Sequence, residues 1–403
     1  MQFLFIDNEK LCVYKDGKVS EYESSYIKKY REASLTSAKN TEWKRLGRTE
    51  MLLNEGFLED NKEVFSKLYA IAPTIKEDEL VYSFCVNDSA GGYLKNDTSG
   101  VYLKYLNDEK KLEAHLITSN QVEFTSLFAS KDNLLASIKK GSVEGDIAIL
   151  SKDGSEYKSV TAGDSLDENP SVDERGNILF NSYGVARDEN NNFLWYSDSE
   201  ICRLNLLTME METVLSAQGL SFVKPIEFDG GLYYIKRPTE EKERSNVFLD
   251  ILMIPVRIVQ GIVGFVSAFT TIFSGKPLLS EGKKSNGKSL AKNYKKDEQR
   301  LFVMNNLIKV DRELERNQKF ADYGFIPRTW KLARLDADGE KEIFSGVADY
   351  CVLEDGTLIF TNGKHLFSFD GEKAKKILDT NCCIKVSSGS PSVYRLASVF
   401  GDL

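Results

Sequence analysis

Two histidines, three tryptophans, eight prolines and six cysteines are all that 403 residues hold of those types. Each scarcity excludes something. His115 and His365 lie in separate strand-like runs and at no metal-ligand spacing, so both read as structural side chains. The cysteines (Cys12, Cys85, Cys202, Cys351, Cys382 and Cys383) include no C-x-x-C pair, and most sit in apolar runs. They read as buried thiols of a reducing compartment, with vicinal Cys382–Cys383 the candidate for a disulfide or metal role. No G-x-S-x-G elbow, H-E-x-x-H helix, P-loop or dinucleotide fingerprint is present. No catalytic residue, metal ligand or cofactor is therefore assigned. Little proline and average glycine (28) leave no broad disordered tract.

Positive charge is also short. The net charge is −8, which argues against nucleic acid as a partner, because phosphate binding needs a basic face. The distribution is uneven: Lys276 to Arg300 holds eight basic and three acidic residues, an excess of five, so the remainder carries about −13. No signal peptide opens the chain, since Met1 to Ile6 is a short apolar strand followed at once by Asp7, Asn8 and Glu9. A cytoplasmic location is expected.

What is present is a repeat of roughly 40 to 55 residues, the spacing of propeller blades. Its clearest copy runs from Asn169–Pro170–Ser171–Val172 through Asp173–Glu174–Arg175–Gly176 to Asn177–Ile178–Leu179–Phe180, then Ile201 to Asn205. Leu80 to Phe84 with Val101 to Tyr105, Leu134 to Ile138 with Asp146 to Leu150, and Leu232 to Ile235 with Trp330 to Leu335 repeat the same events. So does Asp355 to Phe360 with His365 to Phe369. Asp-Gly turns at Asp153–Gly154, Asp338–Gly339 and Asp370–Gly371 mark hairpins between alternating strands. The N-terminal strands lack an inner partner, and Cys383 to Val386 is a strand lacking company. Joining the two closes a ring and removes its free edge.

Asn169 to Phe180 is similar to the opening "P-x-x-S-P-D-G-x-x-I-x-F" of TolB-type propeller repeats, and Asp146 to Thr161 resembles its continuation. Val172 and Glu174–Arg175 depart from the "S-P-D-G" core. The resemblance spans most of residues 66–390 and implies an all-β propeller that binds proteins or peptides; fold does not fix function. The expected architecture is an all-β, six-bladed propeller, seven if residues 26–65 hide strands. Residues 1–24 form the first blade, closed by the C-terminal strand. A helical excursion follows at 25–65, blades at 66–237, an insertion in the fifth blade at 238–328, and the remaining blades at 329–403.

The one long apolar run falls inside that insertion. From Val247 to Ser274 only Asp250 and Arg257 are charged. Asp250, Arg257, Gln260, Gly261, Gly264, Ser267, Thr271 and Ser274 fall on one stripe of a helix, with apolar residues elsewhere. About 20 such residues suffice to span a bilayer. Both flanks belong to one blade, however, so both must lie on one side of any membrane. An interfacial helix or a re-entrant hairpin turning near Pro255 or Gly261–Gly264 meets that constraint.

The insertion residues assigned on this basis are Arg257, Gln260, Gly261, Gly264, Ser267 and Ala268. Gly264 and Ala268 also permit close helix approach, hence a homo-oligomer through the hydrophobic helix. Lys283, Lys284, Lys295 and Lys296 of the basic linker would supply attraction to an anionic leaflet. Leu301 to Phe320 is expected to be a second helix. The reading that follows is a non-enzymatic scaffold binding a protein or peptide, tethered to the cytoplasmic membrane face or to a membrane partner by residues 247–274. The alternatives are a hydrolase or lyase using the propeller funnel with the insertion as lid, and a structural oligomer using the helix as its interface.

Overall fold

Asp173 shows how a local sequence makes this fold. Its carboxylate accepts the backbone N–H of Arg175 (2.9 Å) and of Asn177 (2.8 Å), closing a turn in which Gly176 adopts φ 83°. The strands on either side are thereby set antiparallel, with Val172 opposite Ile178. Asp355 closes an equivalent turn later in the chain, accepting the Thr357 N–H at 3.0 Å.

The computed structural model describes residues 1–29, 67–87, 98–151, 156–239 and 300–389, apart from isolated positions within those ranges. The strands form antiparallel meanders. The first contains β1 (Gln2–Asp7), β2 (Lys10–Lys15) and β3 (Lys18–Tyr22). Next come β4 (Lys67–Lys76), β5 (Glu79–Asn87), β6 (Thr98–Tyr105) and β7 (Ala114–Ser119). The third holds β8 (Val122–Ala129), β9 (Leu134–Lys140), β10 (Glu144–Leu150) and β11 (Tyr157–Ser159). The fourth holds β12 (Ser165–Val172), β13 (Ile178–Arg187), β14 (Phe193–Asn205) and β15 (Glu210–Leu215). The fifth begins with β16 (Leu220–Phe228) and β17 (Gly231–Pro238), then resumes far along the chain with β20 (Lys331–Asp336) and β21 (Gly339–Ser345). Ile235 pairs with Leu332 across that gap.

The last meander is β22 (Asp349–Val352), β23 (Leu358–Thr361), β24 (Gly363–Phe369) and the first part of β25 (Ala374–Ser387). The second part of β25 changes meander. Cys383 pairs with Asp7 and Val386 with Phe5, so the C-terminal strand supplies the inner edge that β1 lacks.

Packing explains why these strands carry apolar residues on both sides. Phe3 and Phe5 of β1 are buried with Cys351 and Ile359, while Leu4 and Ile6 on its other face are buried with Leu80 and Tyr82. In β13, Ile178 and Phe180 pack against Leu135 and Ile147, and Leu179 packs against Phe222 and Tyr234. Val81 and Val101 meet Phe124 and Ala136, and Ile235 and Leu332 meet Tyr350 and Phe360. Each cluster is thus shared by two neighbouring meanders, so every sheet is covered on both faces. The fold is all-β and of the propeller type.

Two sequence expectations change. Leu301 to Phe320 is not one helix: β18 (Arg300–Val303) and β19 (Asn306–Lys309) form a hairpin, and only α1 (Val310–Asn317) is helical. Val303 and Ile308, one on each strand of the hairpin, are buried with Phe325 and Ile326. Short apolar runs fit either period, and burial decides between them. The excursion expected at 25–65 is described only at its start. Residues 25–29 are helical, with Ser24 Oγ accepting the N–H groups of Tyr26 and Ile27 at 3.2 Å. Most of the rest lies outside the described residues. Among the described residues no helix is long and apolar enough to cross a membrane.

Candidate functional site

The inner strands enclose a channel, and one repeat position determines what faces it. Pairing slips by a residue at the same place in β4, β8, β12 and β16. Such bulges re-aim the chain. In β12 and β16 the bulge residues are Asn169 and Lys224, each preceding a proline, with φ 53° and 55°. That backbone region is disfavoured for a residue before proline. Asn181 holds both: its Oδ1 accepts Asn169 Nδ2 at 2.9 Å and the Lys224 backbone N–H at 3.0 Å.

Aligned on their Gly176 and Gly356 turns, the fourth and last meanders place Asp349 where Asn169 stands. Lys224 and Asp349 therefore occupy the same position in neighbouring meanders, and they meet across the channel. Lys224 Nζ donates to Asp349 Oδ1 at 2.6 Å and to the Val386 carbonyl at 3.1 Å. The other Asp349 oxygen accepts the Val386 N–H at 2.9 Å, and Tyr350 Oη donates to the Lys224 carbonyl at 2.5 Å. Asp349 is fully buried. These bonds bind the fifth meander, the last meander and the closing strand to one another.

The remaining inner strands are linked in the same way. Ser171 Oγ donates to the Pro225 carbonyl at 2.7 Å, the Asn169 N–H to Ser126 Oγ at 3.3 Å, and the Ala129 N–H to Thr74 Oγ1 at 3.1 Å. Ser388 Oγ donates to the Val352 carbonyl at 2.8 Å, and Ile75 forms a parallel bridge with Gly389.

Lys385 also lines the channel. Burial pulls its ammonium below the ordinary lysine range; Asp349 opposes that shift and Lys224 adds to it. Burial likewise pushes the Cys351 thiol up to about 12, an inert state. The throat encloses about 60 Å³. A wider mouth of about 490 Å³ opens where β4, β8, β22 and β25 end, bordered by Met1, Lys76, Lys131, Glu354 and Asp355.

His365 is satisfied away from this channel: its Nδ1 lies 2.6 Å from Asp379 Oδ1 and its backbone N–H donates to Asn362. His115 pairs with Thr118. The six cysteines are thiols, five of them buried. No group of His, Cys, Asp and Glu among the described residues could hold a metal ion.

The residues assigned from sequence to insertion and electrostatics, Arg257, Gln260, Gly261, Gly264, Ser267, Ala268, Lys283, Lys284, Lys295 and Lys296, lie outside the described residues. Sequence reasoning missed Lys224, Asp349 and Lys385. A signal existed for the first two: a polar residue recurs at the position before Pro170, before Pro225 and before Tyr350.

No family model matches the chain, and no curated protein matches it in sequence. Among solved structures it is similar to the tricorn protease at 10% identity and TM-score 0.41, over 96% of this chain and 35% of that one. It is similar to TolB from Acinetobacter baumannii at 8% identity and TM-score 0.46, over 96% of this chain and 65% of that one. A Mycobacterium tuberculosis puromycin-hydrolyzing peptidase is similar at 10% identity and TM-score 0.40, over 80% and 49%. This chain spans less than two thirds of each of the three. At such identities the likeness concerns fold alone; the propeller assignment rests on strand pairing and shared cores.

Proposed function

We propose that this chain is a non-enzymatic, six-bladed propeller scaffold that binds a protein or peptide at the channel mouth. In this reading residues 247–274 tether it to the cytoplasmic face of a membrane or to a membrane partner. The observation that carries the scaffold reading is the commitment of the throat's charged pair: Lys224 and Asp349 are bonded to each other and to the closing strand, and the throat around them encloses only about 60 Å³. Six blades are supported by the four-stranded meanders among the described residues, once the second part of β25 is added to β1–β3. The cores shared between neighbours and the bonds between inner strands support a closed ring.

The mouth suits a polar segment of a partner. Lys76 and Lys131, from the second and third meanders, and Glu354 and Asp355, from the last, border it, so an extended peptide carrying both signs of charge would find complements. Charge reversal tests this: K76E/K131E is expected to weaken capture of a partner by the immobilised full chain while leaving the thermal transition in place. Capture that is unchanged by reversal of both pairs of charges would move the partner elsewhere.

The tether reading is supported by the composition of 247–274 and by the position of the gap it leaves, between the paired strands β17 and β20. Vesicle binding that depends on those residues is its test.

A further inference from the structure

We propose that the β13–β14 ribbon is a lipid-contacting element, with Phe193, Leu194 and Trp195 resting in the interfacial region of a bilayer. The proposal builds on the reading of 247–274 as a membrane segment and assigns which face of the propeller lies against the membrane.

The ribbon is an overhang. β12 begins at Ser165, opposite Gly184, yet β13 and β14 continue pairing past that point through Ala186↔Trp195 and Arg187↔Phe193. Register slips beside Arg187, leaving Leu194 as the extra residue. Phe193, Leu194 and Trp195 are 39%, 42% and 50% exposed, three successive large apolar side chains on a strand with no sheet beyond it. Such contiguous exposure marks an interaction surface. The ribbon is also held in place. Tyr196 Oη donates to the Val143 carbonyl at 2.8 Å, its ring stands 4.8 Å from Phe193, and Arg187 pairs with Glu144.

The chain leaves the described fold at the base of this ribbon. Thr239, the last described residue before the gap, donates from its Oγ1 to Asp198 at 2.5 Å, three residues along the strand from Trp195. On the return, Val303 and Ile308 are buried in the cluster that holds Tyr183, and Tyr196 packs on that cluster. The 60 residues from 240 to 299 include the apolar run. A bilayer engaged by that run is within reach of the ribbon.

The chemistry fits the boundary layer. Trp and Tyr prefer the level of the headgroups. Asp188 and Glu189 at the tip oppose tip-first entry, so the ribbon lies along the surface. Because Phe193, Leu194 and Trp195 are uncharged, their contribution does not depend on anionic lipid. The mouth, formed where the inner strands end, then faces away from the membrane.

The test uses the full-length chain and vesicles of phosphatidylcholine alone or with phosphatidylserine. F193S/W195S is expected to lower the partition coefficient about tenfold on both compositions. Brominated phosphatidylcholine is expected to quench the emission of the unmodified chain, and to quench W195F less. Equal partitioning of the double variant, or equal quenching of W195F, would overturn the proposal and leave the tether standing, with the ribbon then facing protein. A full chain that partitions to neither vesicle would overturn the tether reading and this proposal together.

Discussion

Lys224 and Asp349 stand at the same position of neighbouring repeats and meet at 2.6 Å inside the channel. Neither is explained within its own repeat. Each carries the opposite charge that the other needs, and Asp349 also takes the N–H of Val386 from the closing strand. Removing one partner leaves a buried charge unpaired, so K224M and D349A should each cost about 3–5 kcal/mol. The double variant K224M/D349A should cost less than the sum of the two. Urea denaturation of the four proteins measures this coupling.

Ring closure makes a second expectation. Phe5 is 1% exposed and packs between the first and last meanders. Phe5→Ala should destabilise by about 3–5 kcal/mol, through lost burial and the cavity left behind. The fall should appear as one cooperative transition, because closure joins both ends of the chain. A separate early transition for the terminal strands would contradict that.

Gly363 allows no side chain. Its φ is +91°, and a Cβ built there would stand 2.3 Å from the Phe325 ring. Gly363→Ala combines backbone strain with overpacking and should cost about 3 kcal/mol. Thermal denaturation compared with Gly371→Ala, where φ is +99° but space is open, separates the two contributions.

His365 gives a pH dependence. Burial lowers its pKa below the ordinary histidine value and outweighs Asp379, which raises it; Lys376 and Lys364 add to the lowering. The unfolded chain therefore binds the proton first as pH falls. The stability this group contributes is complete above the ordinary histidine value and is lost as pH drops through the folded value. His365→Gln should flatten the change in urea midpoint between about pH 7.5 and 5.5.

The strands were legible because each blade carries its own turn chemistry and apolar alternation. Asp173 to Phe180 and Asp355 to Phe360 specify hairpins locally, before any tertiary contact forms. The Cys383 to Val386 strand could be matched to Phe3 to Ile6 because each lacked something the other had. Leu301 to Lys309 was misread because its apolar spacing satisfies both periods, and only its contacts with Phe325 and Ile326 distinguish them. Lys224 and Asp349 were hidden for another reason: the repeat unit predicts fold, whereas their pairing arises from curvature that brings separate repeats around one axis. The overhanging ribbon was similarly invisible, since Phe193 to Tyr196 reads as an ordinary strand until its missing neighbour is seen.

The most direct measurement is co-sedimentation of the full chain, and of a 245–299 deletion, with neutral and anionic liposomes. Pelleting that depends on the deleted residues and strengthens on anionic vesicles is the predicted result. Equal, negligible pelleting of two well-folded proteins would contradict the account and assign the hydrophobic segment to a protein interface.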